Sequence, residues 1–313
     1  MFDSPLSASA YDVLGVDPAA DEDSLRKAYR LRLRQTHPDT GGDAAVFIQV
    51  QRAWELVGTV DARTAYDRGH GFADAFGPGA DGPSTPGWRT PTRPADTRPK
   101  ARSFGQPGGW RRERYLMLIR EWAGRGVTVE DPYDPALVRS APRELRRMLA
   151  DALAEEATAR VVSDLGIGYT VWHDVAAPVR GGTGDDKLDH IVLSPSGLYA
   201  VLSEDFGGPV GVRRGELTGD AVPGTPVADL LARVRLISRA AGVRFGGVIV
   251  VLPDEDLVQA VTDLGKVRGV PVVLVARGAL GNVLRQGVPG ARSIGGNEIF
   301  DIRTRLQQAV RFV

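Results

Sequence analysis

Apolar positions Leu25, Ala28, Tyr29, Leu33 and Thr36 recur at three- and four-residue steps, which predicts an amphipathic helix over residues 21–36 with Asp21 as its N-cap. A second pattern of this kind covers residues 43–57, where Ala45, Phe47 or Ile48, Val50, Ala53, Trp54 and Val57 supply apolar faces. Between them lies His37-Pro38-Asp39-Thr40-Gly41-Gly42. Proline disfavours helical backbone in the residue before it, and the glycines that follow punctuate the chain, so the two helices are joined by a loop. Short helices are expected at Tyr11–Leu14 and Asp61–Asp67, giving a four-helix, all-α unit over residues 9–69 built on an antiparallel hairpin.

The pattern then changes twice. Residues 70–109 are crowded with Gly, Pro, Ser and Thr and read as a flexible linker, because they offer too little apolar surface to offset the entropy of ordering. Residues 110–313 return to mixed periodicities, with a core at about 145–290. Strands are expected at Tyr169–Val175, Leu188–Leu193, Leu198–Leu202, Gly247–Leu252 and Val270–Ala276. Helices are expected at Trp110–Trp122, Pro142–Leu165, Val227–Ala241, Asp254–Leu264, Leu280–Gln286 and Asn297–Phe312. Strands alternating with helices indicate an α/β layer structure with a central mixed sheet.

Composition narrows the function. The 39 basic and 39 acidic residues cancel, so no global field points to nucleic acid or an anionic membrane. Cysteine is absent, which excludes disulfides, thiolate metal sites and thiol catalysis. The first residues do not read as a secretory signal, and the apolar runs are too short to span a bilayer. A cytoplasmic location without membrane contact is the expectation.

The segments AYDVLGVDPAADEDSLRKAYRLRLRQTHPD and FIQVQRAWELVGTVDARTAYDRG carry the YDVLGV opening, KAYR, the HPD tripeptide, Ala53-Trp54 and a closing RxAYDRG in order. Together they resemble a J-domain. The resemblance implies a co-chaperone that stimulates a DnaK-type ATPase through His37, Pro38 and Asp39. Arg26, Arg30 and Arg34 stand at four-residue steps with Lys27 beside them, so they form one basic stripe. The resemblance implies that this stripe docks on an acidic surface of the ATPase. Leu31-Arg32 departs from the family's usual basic-then-apolar order. Without zinc repeats, and with only a short Gly/Phe stretch at residues 69–79, the chain resembles J-proteins that join the J-domain to a specialised module.

That module, from EEATARVV through GLYAVLSEDFGGPV, resembles the nuclease-related (NERD) domain of the PD-(D/E)XK superfamily, whose fold is restriction-endonuclease-like. Such sites use acids to hold Mg²⁺ and a lysine to orient water. The resemblance puts Asp189 at the first strand acid and Glu156 at the helix acid. Leu202 and Glu204 stand where acid-x-lysine is required. Leucine cannot bind a hard cation and glutamate cannot replace an ammonium, so the site reads as vestigial and the module as a client-binding or targeting one. Lys187 is the nearest candidate for a displaced lysine. Metal-dependent nucleic-acid processing is the alternative reading.

Other candidates are weaker. His173 and His190 read as ordinary strand residues, without a third metal ligand at suitable spacing, and Gly181-Gly182-Thr183-Gly184 lacks the Gly-Lys-Ser/Thr of a phosphate loop. Residues 85–114 hold eight Arg/Lys against Asp96 and Glu113, a net charge of +6, interleaved with Trp88, Phe104 and Trp110. Such a stretch suits single-stranded nucleic acid as well as a solvated linker. The sequence implies neither a cofactor nor a resident metal nor a catalytic residue, and leaves the client protein unnamed.

Overall fold

The computed structural model describes residues 4–6, 10–17, 20–37, 44–60, 62–63, 66, 99–124, 126–179, 181, 184, 186–292 and 294–313. The chain divides into two units, residues 1–86 with 119–146 and residues 87–118 with 147–313.

In the first unit, α1 (Ala10–Leu14), α2 (Glu22–Thr36) and α3 (Ala44–Val57) gather around one small core. The Asp21 side chain caps α2 by accepting from the Ser24 amide at 2.7 Å. This satisfies one of the amide groups that a helix start leaves without an intrahelical partner. Leu25, Val50, Ala53 and Val57 close the core with Tyr11 and Leu14, while Tyr29 stacks on Trp54 with ring centroids 4.4 Å apart. Of the expected fourth helix, residues 62, 63 and 66 are helical and the others lie outside the described residues. Tyr66 is buried, and its hydroxyl accepts from the Ala10 amide at 2.8 Å. This unit also contains α5 (Pro135–Ser140), a short helix the apolar pattern did not reveal.

The second unit is a seven-stranded mixed sheet of order β1-β2-β3-β4-β7-β9-β8. Its strands are β1 (Arg102–Phe104), β2 (Thr170–Ala176), β3 (Lys187–Ser194), β4 (Gly197–Ser203), β7 (Gly247–Leu252), β8 (Val261–Val267) and β9 (Val270–Ala276). The strands β2, β3 and β4 form an antiparallel meander. β4, β7 and β9 then run parallel, and β8 returns antiparallel at the edge. A separate hairpin joins β5 (Gly211–Arg213) and β6 (Glu216–Thr218).

Helices cover both faces of the sheet. Two of them, α7 (Pro226–Ala241) and α9 (Gly296–Ala309), pack on the face that carries Ile191, Leu193, Leu198, Ala200 and Leu202. The opposite face, with Val192, Tyr199, Val201 and Ile249, meets Val162 of α6 (Arg143–Ser163) and the helix α8 (Leu280–Gln286). Burial on both faces explains why these strands are near-continuous apolar runs.

Two expectations are corrected. Residues 99–109 of the expected linker are structured: β1 pairs with β2, and α4 (Gly109–Ala123) follows directly. The rest of that linker, 70–98, lies outside the described residues. The helix expected over Asp254–Leu264 is instead a 3₁₀ turn at Asp254–Asp256 followed by β8. β8 is an edge strand with a bulge between Asp263 and Gly265. Leu257, Val261 and Leu264 thus stand at helix-like spacing on a chain that is extended from Val261 onward.

Candidate functional site

On α2 the predicted stripe is present and exposed. Arg26, Lys27, Arg30 and Arg34 are open to solvent, as is Leu31, at 57% exposure. Arg26 is not unopposed, because Glu22 pairs with it one turn earlier at 2.5 Å. His37 ends the helix in extended geometry and is half-buried, its ring 5.1 Å from that of Phe47 in a T-shaped contact. An extended residue is what the following proline requires. Pro38 and Asp39 lie outside the described residues.

The second unit buries an ion cluster beneath α4. Lys187 is 1% exposed, and its Nζ lies 2.6 Å from Glu155, 2.6 Å from Asp174 and 3.0 Å from Asp189. Next to it Arg111 reaches Asp151 at 2.6 Å, Glu155 at 2.8 Å and Glu204 at 3.0 Å. Each placement has a local cause. Lys187 and Asp189 are two apart on β3 and so share a face. Glu155 lies on the buried side of α6. Asp174 adopts φ of 51° in the middle of β2, a left-handed conformation uncommon outside glycine, and its carboxylate meets the lysine there. Gly105, at φ of 78°, lets the chain pass so close to β2 that a Cβ would lie 2.3 Å from the His173 carbonyl oxygen.

The electrostatics follow from this crowding. Burial lowers the Lys187 pKa, but Asp189 and Glu155 outweigh it and hold the ammonium well above its ordinary range. Burial opposes the Asp189 charge, yet Lys187, Arg111 and the Ser203 amide, which donates at 2.8 Å, bring its carboxyl far below the usual value. Burial and the neighbouring Asp189 charge raise Glu155 well above it. Burial and Glu204 do the same to Asp151.

His173 and His190 face each other across β2 and β3 with their Nδ1 atoms 2.7 Å apart. Burial and mutual proximity lower His173 to about 2, and burial lowers His190 to about 4, so both rings are neutral at pH 7. Their Nε2 atoms meet Ser103 and Ser203 at 3.0 Å and 3.2 Å.

The cluster contains Asp189 and Glu204 but not Glu156, which pairs at the edge with Arg112. Its neighbour Glu155 is the helix acid that faces the lysine. Leu202 belongs to the apolar core. Sequence reading missed Arg111, Asp151 and Glu155 as site residues, and met Asp174 only as part of the His173-Asp174-Val175 strand end of the nuclease-like resemblance. It took Arg111, Arg112 and Lys100 as part of a basic linker, whereas each is ion-paired within the domain, Lys100 with Asp164 at 2.7 Å. A signal for Glu155 existed in the spacing of α6: Asp151, Ala152, Glu155 and Ala159 share its buried side.

A Mg²⁺ ion does not fit this donor set. The carboxylates that would bind it are turned onto an ammonium and a guanidinium, and Leu202 offers no ligand atom. Among the described residues no three His, Asp or Glu side chains are arranged to hold a metal. None of the described helices is long and apolar enough to cross a membrane.

A family model identifies part of the first unit. Residues 9–67 match the DnaJ domain family model. The N-terminal unit carries a DnaJ domain. The chain is 44% identical over 64 residues to the chaperone protein DnaJ of Prochlorococcus marinus, covering 20% of this chain and 17% of that protein. It is 38% identical over 73 residues to the chaperone protein dnaJ A6 of Oryza sativa, covering 23% and 18%. The chain therefore spans only 17–18% of the length of these DnaJ relatives. A longer similarity, 27% over 230 residues, links it to a curved DNA-binding protein of Coxiella burnetii and covers 62% of this chain and 68% of that protein. No solved structure matches.

Proposed function

We propose that this DnaJ-domain protein is a co-chaperone that binds a DnaK-type ATPase through His37, Pro38 and Asp39 and accelerates its ATP hydrolysis. The observation that carries this is the DnaJ-domain match over residues 9–67 on a helical hairpin whose α2 face is basic and exposed. Arg26, Lys27, Arg30 and Arg34 supply charge for encounter and orientation, and exposed Leu31 supplies apolar contact at the centre of that face. The test is single-turnover ATP hydrolysis by a partner DnaK with and without this protein. Stimulation is expected, and His37→Gln should abolish it without changing the circular dichroism spectrum. Equal stimulation by the variant would refute the proposal.

The α/β unit, in this reading, is a NERD-like module that has exchanged catalysis for client binding or targeting. What supports it is the cluster itself: Lys187 and Arg111 neutralise the carboxylates that a hydrolytic site would keep for metal. The competing reading, a Mg²⁺- or Mn²⁺-dependent nuclease, predicts plasmid cleavage that Asp189→Ala abolishes; none is expected. Nucleic acid as a tether through residues 85–114 is favoured by the segment's net charge of +6 with interleaved aromatics and by the name of the curved DNA-binding relative. It is weakened by the ion pairs of Lys100, Arg111 and Arg112. Tethering of that kind requires oligonucleotide binding that falls steeply with salt.

A further inference from the structure

Four cations converge on one cavity at the end of the sheet remote from the ion cluster. The cavity has a volume of about 350 Å³ and lies where α7, the start of β7, the end of β8 and the start of β9 meet. Arg235 comes from α7, Arg244 from the turn after it, Lys266 from β8 and Arg292 from the approach to α9. All four are exposed, and among the described residues no carboxylate lines the space. Arg292 is held by Glu298, with contacts of 2.9 Å to both carboxylate oxygens. Arg235, Arg244 and Lys266 make no ion pair with any described residue.

The rest of the lining has a different character. Phe245 and Val234 belong to the buried core and Val270 packs against it, so the floor is apolar. Ser238 donates its hydroxyl proton to the Val243 carbonyl at 2.5 Å. With that proton committed, its oxygen can serve a ligand only as an acceptor, suited to a hydroxyl or amine and not to an anion. Three uncompensated positive charges, an apolar floor and one acceptor describe a ligand with a phosphorylated end, a flat apolar part and a hydroxyl-bearing link between them. A cavity of this size fits a small molecule. All four cations line one cavity of small-molecule size, which favours a small ligand over a polymer backbone.

We propose that this cavity binds a nucleotide of about the size of a nucleoside diphosphate, with phosphate on Arg235, Arg244 and Lys266 and the base over Phe245 and Val270. The site is independent of the DnaJ domain's docking face and of the buried ion cluster.

The experiment is calorimetric titration of the full chain with ADP, adenosine and inorganic pyrophosphate. ADP is expected to bind one per chain, with adenosine and pyrophosphate each about tenfold weaker or more, because each lacks one half of the recognised chemistry. The double variant Arg244→Glu/Lys266→Glu should lose ADP binding by a further tenfold or so while its melting temperature stays unchanged, since both side chains are exposed. Absence of saturable ADP binding, equal affinity for ADP and pyrophosphate, or equal binding by the charge-reversed variant would each overturn the proposal. So would DNA binding that the variant loses in a protein that does not bind ADP.

Discussion

Lys187 shows how much one buried residue governs. Its ammonium stands between Glu155, Asp174 and Asp189, none of which is more than 3.0 Å away. Removing it leaves carboxylates facing each other in a water-poor site. Lys187→Met is expected to destabilise the α/β unit by about 3–5 kcal/mol in denaturant unfolding, the range for breaking a buried pair from one side. A loss below about 1 kcal/mol would mean that water screens the cluster. Asp256 makes a pH prediction. Burial, Asp205 and Glu255 raise its carboxyl from 3.8 to about 7. Between those values the folded chain keeps a proton that the unfolded chain has released, so the contribution of Asp256 falls as pH rises through that window and is flat above it. Asp256→Asn should therefore stabilise the protein relative to wild type at pH 8 and lose that advantage near pH 4, as read by thermal melting at both values. The histidine pair acts with the opposite sign. Both rings are depressed below 6.5, so their contribution is complete above that pH and is lost on acidification toward about 4 for His190 and about 2 for His173.

At the scale of elements, the two helices of the DnaJ domain are held by a few specific contacts. Trp54 of α3 stacks on Tyr29 of α2 with an interplanar angle of 11°. Trp54→Ala removes this contact and opens the small core. It is expected to cost about 2–4 kcal/mol in urea unfolding and to reduce DnaK stimulation indirectly, through loss of the hairpin. In the α/β unit α4 is bound by charge. Arg111 carries three carboxylate contacts, and Arg112 pairs with Glu156 beside it. Sequence periodicity located α4 and α6 within one or two residues at either end. It did not reveal the pairing of charges, because Arg111 and Asp151 are 40 residues apart. β1 was likewise absent from the pattern, since three residues with one partly buried side chain leave no period to read.

For the whole molecule, the DnaJ domain's proposed action is an encounter steered by charge. Stimulation of the ATPase should thus fall roughly threefold or more between 0.05 M and 0.3 M salt, because exposed charges are screened beyond about 10 Å at 0.1 M. A salt-independent effect would assign the docking to apolar contact through Leu31 instead. The sequence by itself determined the DnaJ domain, since its motif residues lie close together in the chain and its helices are amphipathic at short range. It also determined the α/β class, because β7 and β9 are apolar runs of strand length and α7 has a clear helical face. Only the tertiary structure decided which acid of α6 faces inward, that Lys187 meets three carboxylates, and that Arg235, Arg244, Lys266 and Arg292 share one cavity. Those neighbours come from separate elements of the chain. The physical reason is that burial and Coulomb interactions act over distances in space, whereas a sequence pattern records distances along the backbone.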